Sequence, residues 1–72
     1  MIVYTPFWKT LKESNESTYT LIHQHHFSAS FIQRLRDNKP ISTNSVNDLC
    51  RILNCTPNDI MEYVSNDKDQ TL

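Results

Sequence analysis

Three histidines, His23, His25 and His26, fall within four positions in "HQHHFSAS". Imidazoles at this density can bind a metal, move protons, or add positive charge as the pH falls. Zinc would need three or four converging ligands. On a continuing helix His23 and His26 would share a face while His25 points elsewhere. The two cysteines, Cys50 and Cys55, lie far along the chain and lack C-x-x-C spacing. The cluster is therefore read as turn and surface residues, with pH sensing as the chemical alternative and no metal. His26 and Ser28 are near enough in sequence to suggest a base and a nucleophile. No orienting acid, oxyanion arrangement, paired carboxylates or glycine-rich phosphate loop accompanies them, so no catalysis and no cofactor is expected. Cysteines five apart, on or just past a helix, are not set up to pair. Both are read as reduced, with Cys50 a small buried apolar residue.

What must position these side chains is a pair of helical runs. "STYTLIHQH" starts with Ser17 as N-cap and turns Leu21 and Ile22 inward. "SASFIQRLRDN" starts with Ser28 as N-cap and spaces Phe31, Ile32 and Leu35 for a buried face. The short link between them is what a helix-turn-helix requires. Its positive-φ position, elsewhere glycine, is His26 here, and histidine is one of the residues enriched in that region. Phe27 then plugs the gap between the helices. Asn38, also tolerant of positive φ, stops the second helix. The chain contains no glycine, so its turns must use Asn, Asp, Ser, His or Pro.

The rest of the chain frames this unit. "MIVYT" alternates and reads as a short strand or extended arm. "TPFWKTLKES" offers Thr5 as N-cap, Pro6 at the first helical position, and an apolar stripe of Phe7, Trp8 and Leu11 with Trp8 as core anchor. After the "KPIST" loop, "STNSVNDLCRILNC" places Val46, Leu49, Cys50 and Leu53 at helical spacing. "TPNDIMEYV" has a capping-box-like start in Thr56, Pro57 and Asp59, which predicts a fifth helix with Ile60, Met61 and Val64 on the core. The expected fold is an all-α, compact five-helix domain over residues 1–64, followed by a polar tail over 65–72. With 72 residues in all, the core must be thin. No apolar run is long enough to span a bilayer, and the N-terminus lacks the pattern of a signal peptide, so a cytoplasmic protein is expected.

The formal net charge is −1, an unpromising value for a nucleic-acid binder. Its distribution is more favourable. Residues 1–58 hold six Lys/Arg against four Asp/Glu, while 59–72 hold four acids against Lys68. Arg34, Arg36 and Lys39 form a local basic patch, which in most proteins is simply a solvated helix face.

Residues 17–61, through "STYTLIHQHHFSASFIQRLRDNK", a proline loop and "LCRILNCTPNDIMEYV", resemble the helix-turn-helix domain of phage-repressor-like regulators, the Xre or Cro/repressor family. Four positions depart from its pattern: His26 for the turn glycine, Ile22 for a small residue, Arg36 for an acid, and Asn38 for a glycine. The resemblance implies a central helix-turn-helix whose recognition helix, about residues 28–37, enters the major groove of double-stranded DNA. It assigns base edges to Ala29, Ser30, Gln33 and Arg34: a methyl for thymine, a weakly discriminating hydroxyl, an amide for adenine, and a guanidinium for guanine. It assigns phosphates to Ser17, Thr18, Ser28, Arg36 and Lys39, with neutral backbone contacts from Thr43 and Asn44. Tyr19 would touch DNA or cover the core. The implied protein is a sequence-specific transcriptional regulator of the repressor type, from a bacterial or phage host, with no small-molecule ligand. One motif reads few base pairs, so a homodimer is expected, with Ile60, Met61, Tyr63, Val64 and the "MIVYT" arm as its candidate surface. The alternative is a protein-interaction module on the same fold, antirepressor or antitoxin-like, which the net charge and acidic tail suit.

Overall fold

The computed structural model describes residues 1–66, so the expected polar tail lies, from residue 67 on, outside the described residues. Along the chain come β1 (Ile2–Val3), α1 (Thr5–Glu13), α2 (Thr18–His23), α3 (Ala29–Arg36) and α4 (Thr43–Leu53). A single 3-10 turn (Pro57–Asp59) and β2 (Glu62–Tyr63) complete it. The fold is mostly helical, as the apolar spacing predicts, but the fifth helix is absent among the described residues. The expected capping-box-like start forms: Asp59 Oδ2 accepts from the Thr56 N–H at 3.1 Å and from the Thr56 hydroxyl at 3.3 Å, and the Asp59 N–H donates to the Thr56 carbonyl at 2.9 Å. That box closes one turn only. Ile60 then drops into the core with no exposed surface, and the next residues run extended to pair with β1. The pairing is antiparallel, Ile2 opposite Tyr63 and Val3 opposite Glu62. The Val64 N–H donates to the Met1 carbonyl at 2.8 Å, and the N-terminal ammonium donates to the Val64 carbonyl.

The core is the sum of one face from each helix. Phe7, Leu11, Leu21, Ile32, Leu35 and Leu49 are buried, joined by Tyr4 and Ile60. Burial of such a side chain contributes roughly 1.5–3 kcal/mol, so this small set carries most of the fold. Phe7, fully buried, is the anchor of α1. Trp8 is only half-buried, because it packs edge-on against Phe7, ring centroids 4.8 Å apart, at the rim. Cys50 is likewise half-buried rather than buried, and Val64 is exposed. Helix α1 begins at Thr5, with Tyr4 rather than Thr5 in the cap position and no side-chain cap bond. Tyr4 is instead held from outside the helix: its N–H donates to Asn38 Oδ1 at 3.1 Å and its hydroxyl to the Lys39 carbonyl at 2.7 Å. At the other end of the fold, Thr10 Oγ1 donates to the Asp59 carbonyl at 2.8 Å, fastening α1 to the 3-10 turn.

Without glycine, three other residues among those described take the left-handed backbone: His26 (φ 65°), Asn38 (φ 55°) and Asn54 (φ 53°). His26 makes the turn of the helix-turn-helix, Asn38 follows α3, and Asn54 stops α4. The last is an asparagine directly after a periodic run, which is itself a stop signal written in the sequence. A non-glycine residue in this region is strained by roughly 1–2 kcal/mol, offset for glycine by greater freedom in the unfolded chain. His26→Gly is therefore expected to stabilise the domain by roughly 0.5–1 kcal/mol in urea unfolding. A destabilised variant would show that the imidazole, not the backbone, matters at this turn.

Candidate nucleic-acid interface

The helix-turn-helix is α2, the turn and α3. Ser17 caps α2 by accepting from the Thr20 N–H at 3.2 Å, while Thr20 Oγ1 accepts from the Ser17 N–H at 2.8 Å. Ser28 caps α3 by accepting from the Phe31 N–H at 3.0 Å, and its oxygen lies 3.0 Å from Ser30 Oγ. Between the helices Phe27 and Phe31 stack, centroids 5.0 Å apart, both half-buried. This contact makes the plug of the turn a two-ring unit.

Ile32 and Leu35 bury one side of α3, leaving Ala29, Ser30, Gln33, Arg34, Arg36 and Asp37 exposed. Successive residues turn by about 100°, so Arg34 and Arg36 leave the helix in nearly opposite directions, with Ser30, Gln33 and Asp37 between them. Each arginine is braced by the fold. The Arg36 guanidinium lies over the Trp8 ring, 5.6 Å from its centroid. Arg34 donates from Nε and Nη2 to the Pro40 carbonyl at 2.9 and 2.6 Å. It also lies near the Tyr4 phenol, whose pKa burial raises and the guanidinium partly lowers. Gln33 Nε2 donates to both Asp37 carboxylate oxygens, at 3.2 and 3.3 Å, which fixes which end of the amide points along the helix.

The remaining expected contacts are spread over neighbouring segments. Lys39, Thr43 and Asn44 are exposed in the loop after α3 and the first turn of α4. Ser42 caps that turn, accepting from the Ser45 N–H at 3.1 Å. Ser17 and Thr18 sit apart from these, at the start of α2. Of the residues suggested for a dimer surface, Ile60 is excluded by complete burial and Met61 is half-buried. Tyr63 and Val64 are exposed, as are Met1 and Ile2 beside them.

The three histidines have three different jobs. His26 makes the turn. His23 stacks on the exposed Tyr19, centroids 4.3 Å apart, which settles Tyr19 outside the core. His25 Nε2 lies 3.2 Å from Glu16 Oε1. Among the described residues no group of three or more His, Cys, Asp or Glu could hold a metal ion. Nor does any helix there have the length and apolarity to cross a membrane.

Glu16 is a charged neighbour of the candidate site that sequence reasoning missed. Its Oε1 accepts from Thr20 Oγ1 at 2.6 Å, which puts a carboxylate beside the first turn of α2. The Thr20 hydroxyl, and then His25, hold its carboxyl below the usual range against desolvation. A depressed folded-state value means stability that is present above the unfolded value, near 4.5, and lost as pH falls through the folded one. Glu16→Gln is thus expected to flatten part of the acid-side decline in urea midpoint between neutral and strongly acidic pH. An unchanged acid limb would remove Glu16 from the account. The signal was present in sequence as an acid before the Ser17 N-cap, but its partner His25 is nine residues away, beyond the far end of α2.

The family model for a Cro/C1-type HTH DNA-binding domain matches residues 7–66. The chain belongs to the Cro/C1-type helix-turn-helix family. DNA binding, and through it transcription regulation, is the general function of this Cro/C1-type domain, and binding rather than catalysis is what its family does. Neither a curated protein nor a solved structure matches the chain. The match to the Cro/C1-type family takes in both helices of the motif, α4 and β2, and stops short of the N-terminal arm.

Proposed function

We propose that the chain is a sequence-specific, double-stranded DNA-binding regulator acting as a repressor, with α3 as its recognition helix in the major groove. The observation that carries this reading is the bracing of Arg34. With Nε and one Nη2 hydrogen on the Pro40 carbonyl, the end-on Nη1–Nη2 edge is left to meet guanine O6 and N7. A guanidinium already held in place loses less side-chain freedom on binding. Gln33, with one amide hydrogen on Asp37, keeps its oxygen and second hydrogen for adenine. Ala29 and Ser30 complete the base-facing set. Ser17, Thr18, Ser28, Arg36, Lys39, Thr43 and Asn44 are assigned to the backbone of the duplex.

One such motif reads a short half-site, so the regulator works as a homodimer on two of them. The exposed apolar residues Met1, Ile2, Tyr63 and Val64 are its proposed contact. Sedimentation with and without operator checks this part: a monomer at high concentration with DNA present would remove it.

Selection of bound sequences from random duplexes tests the function. A short palindromic site is expected, with affinity falling steeply as salt rises, because phosphate contacts release counterions. Absence of enrichment even at low salt would reject the DNA reading and turn the search toward a protein partner.

A further inference from the structure

The DNA reading makes no use of the two thiols at the end of α4. That helix stops at Asn54 in the left-handed region, and the chain doubles back so that the Cys55 N–H donates to the Cys50 carbonyl at 3.0 Å. A bond of this six-residue kind sets the side chains at its two ends against each other, and an apolar contact commonly fills the space. Here the residues at the two ends are both cysteines. Spacing alone argues against their meeting; the positive φ at Asn54 overturns that argument. The Cys50 thiol is close enough to raise the Cys55 pKa, second only to burial. Both thiols are free and half-buried, and both pack on the edge of the core. Cys50 also lines an open groove with Thr43, Val46, Asn47, Pro57 and Met61, which gives a small reagent access to its sulfur.

We propose that Cys50 and Cys55 are a dithiol modification site, which a small-molecule disulfide oxidises to an intramolecular disulfide. Cys50 gives up its proton to solvent, and its thiolate attacks one sulfur of the oxidant. The oxidant's S–S bond breaks, and one small thiolate leaves with the electron pair and takes up a proton. Cys55 then loses its proton and attacks the Cys50 sulfur, expelling the second small thiolate, which is protonated in turn. The sum is two protein thiols and one small disulfide giving one protein disulfide and two small thiols, with two electrons passing to the oxidant. Cys50 attacks first because it faces the groove. Burial, followed by the adjoining Cys50 thiol and the Asp59 carboxylate, pushes the Cys55 thiol up to about 11. Burial of that thiol persists in the mixed disulfide, so the closing step quickens as pH rises.

The experiment treats the full chain with oxidised glutathione and reads intact mass and free thiols. The expected product is a monomer lighter by two hydrogens, carrying no glutathione and restored by dithiothreitol. Cys55→Ser should stop at a mixed disulfide holding one glutathione. The wild-type chain, equilibrated in a glutathione redox pair, should favour closure at least about tenfold more in native buffer than in denaturant, where the stop of α4 is gone. That comparison decides even where the serine variant fails to fold. Glutathione retained on the wild type, a disulfide-linked dimer as the product, or closure favoured more in denaturant than in the native chain would each overturn the proposal.

Discussion

Asn38→Ala is expected to remove a large part of the domain's stability, whereas Asn38→Asp should leave most of it. Asn38 has two duties at once. Its backbone sits at φ 55° just after α3, and its Oδ1 accepts the Tyr4 N–H at 3.1 Å. Alanine meets neither. The backbone strain costs roughly 1–2 kcal/mol, and a stranded, partly buried amide costs roughly 1–3 kcal/mol. A domain of this size is held by only about 3–10 kcal/mol in total. Aspartate tolerates the left-handed region and still accepts the hydrogen bond. Asn38→Gly separates the two duties, since it relaxes the backbone and loses only the bond, so it should fall between. Urea unfolding followed by Trp8 fluorescence measures all three. If alanine and glycine were equally harmful, the left-handed backbone would not be the reason asparagine is needed.

The second large effect is on binding. Arg34→Ala should weaken binding to the selected operator by roughly ten- to a hundredfold and relax specificity at one base pair per half-site. The fold should change by less than about 1 kcal/mol, because the side chain is exposed. Arg34→Lys is the sharper test. A guanidinium can hold the Pro40 carbonyl along one edge and a guanine along another, whereas an ammonium has no rigid edge to divide. Lysine should therefore keep the salt dependence of the wild type but not its base discrimination. Full discrimination in the lysine variant, measured by competition with mutated operators, would reject the bracing argument.

The helix-turn-helix is legible in sequence because each of its signals is local. Leu21, Ile32, Leu35 and Leu49 fall at helical spacing. Ser17 and Ser28 sit at helix starts, and His26 and Asn38 stand where positive φ is required. The C-terminal segment fails for the same reason. Thr56 to Asp59 carry the start signal of a helix, and a start signal does not say how many turns follow. What ends this one is pairing between Ile2–Val3 and Glu62–Tyr63, a decision made at the far end of the chain. The destinations of charged side chains are equally non-local. Nothing in "FIQRLRDNKP" tells that the Arg34 side chain finds the carbonyl of Pro40, or that Arg36 finds Trp8 of α1. The same holds for Cys50 and Cys55, whose backbones are brought together by the sign of one dihedral angle at Asn54.

The β1–β2 ladder has a further consequence for how the chain is strung through space. Met1 and Val64 are joined by hydrogen bonds in both directions, so the polypeptide from residue 1 to residue 64 is nearly a closed ring. Any segment fused ahead of Met1 leaves from the same corner as one fused behind this ladder, and two such fusions would lie side by side. The connectivity itself is therefore negotiable. A short linker across the ladder, with new ends opened at the exposed Asn15 between α1 and α2, would give a permuted chain that keeps every helix and the turn between α2 and α3. In that chain α2 would come first and α1 last, and the recognition helix would lie near the new beginning of the molecule.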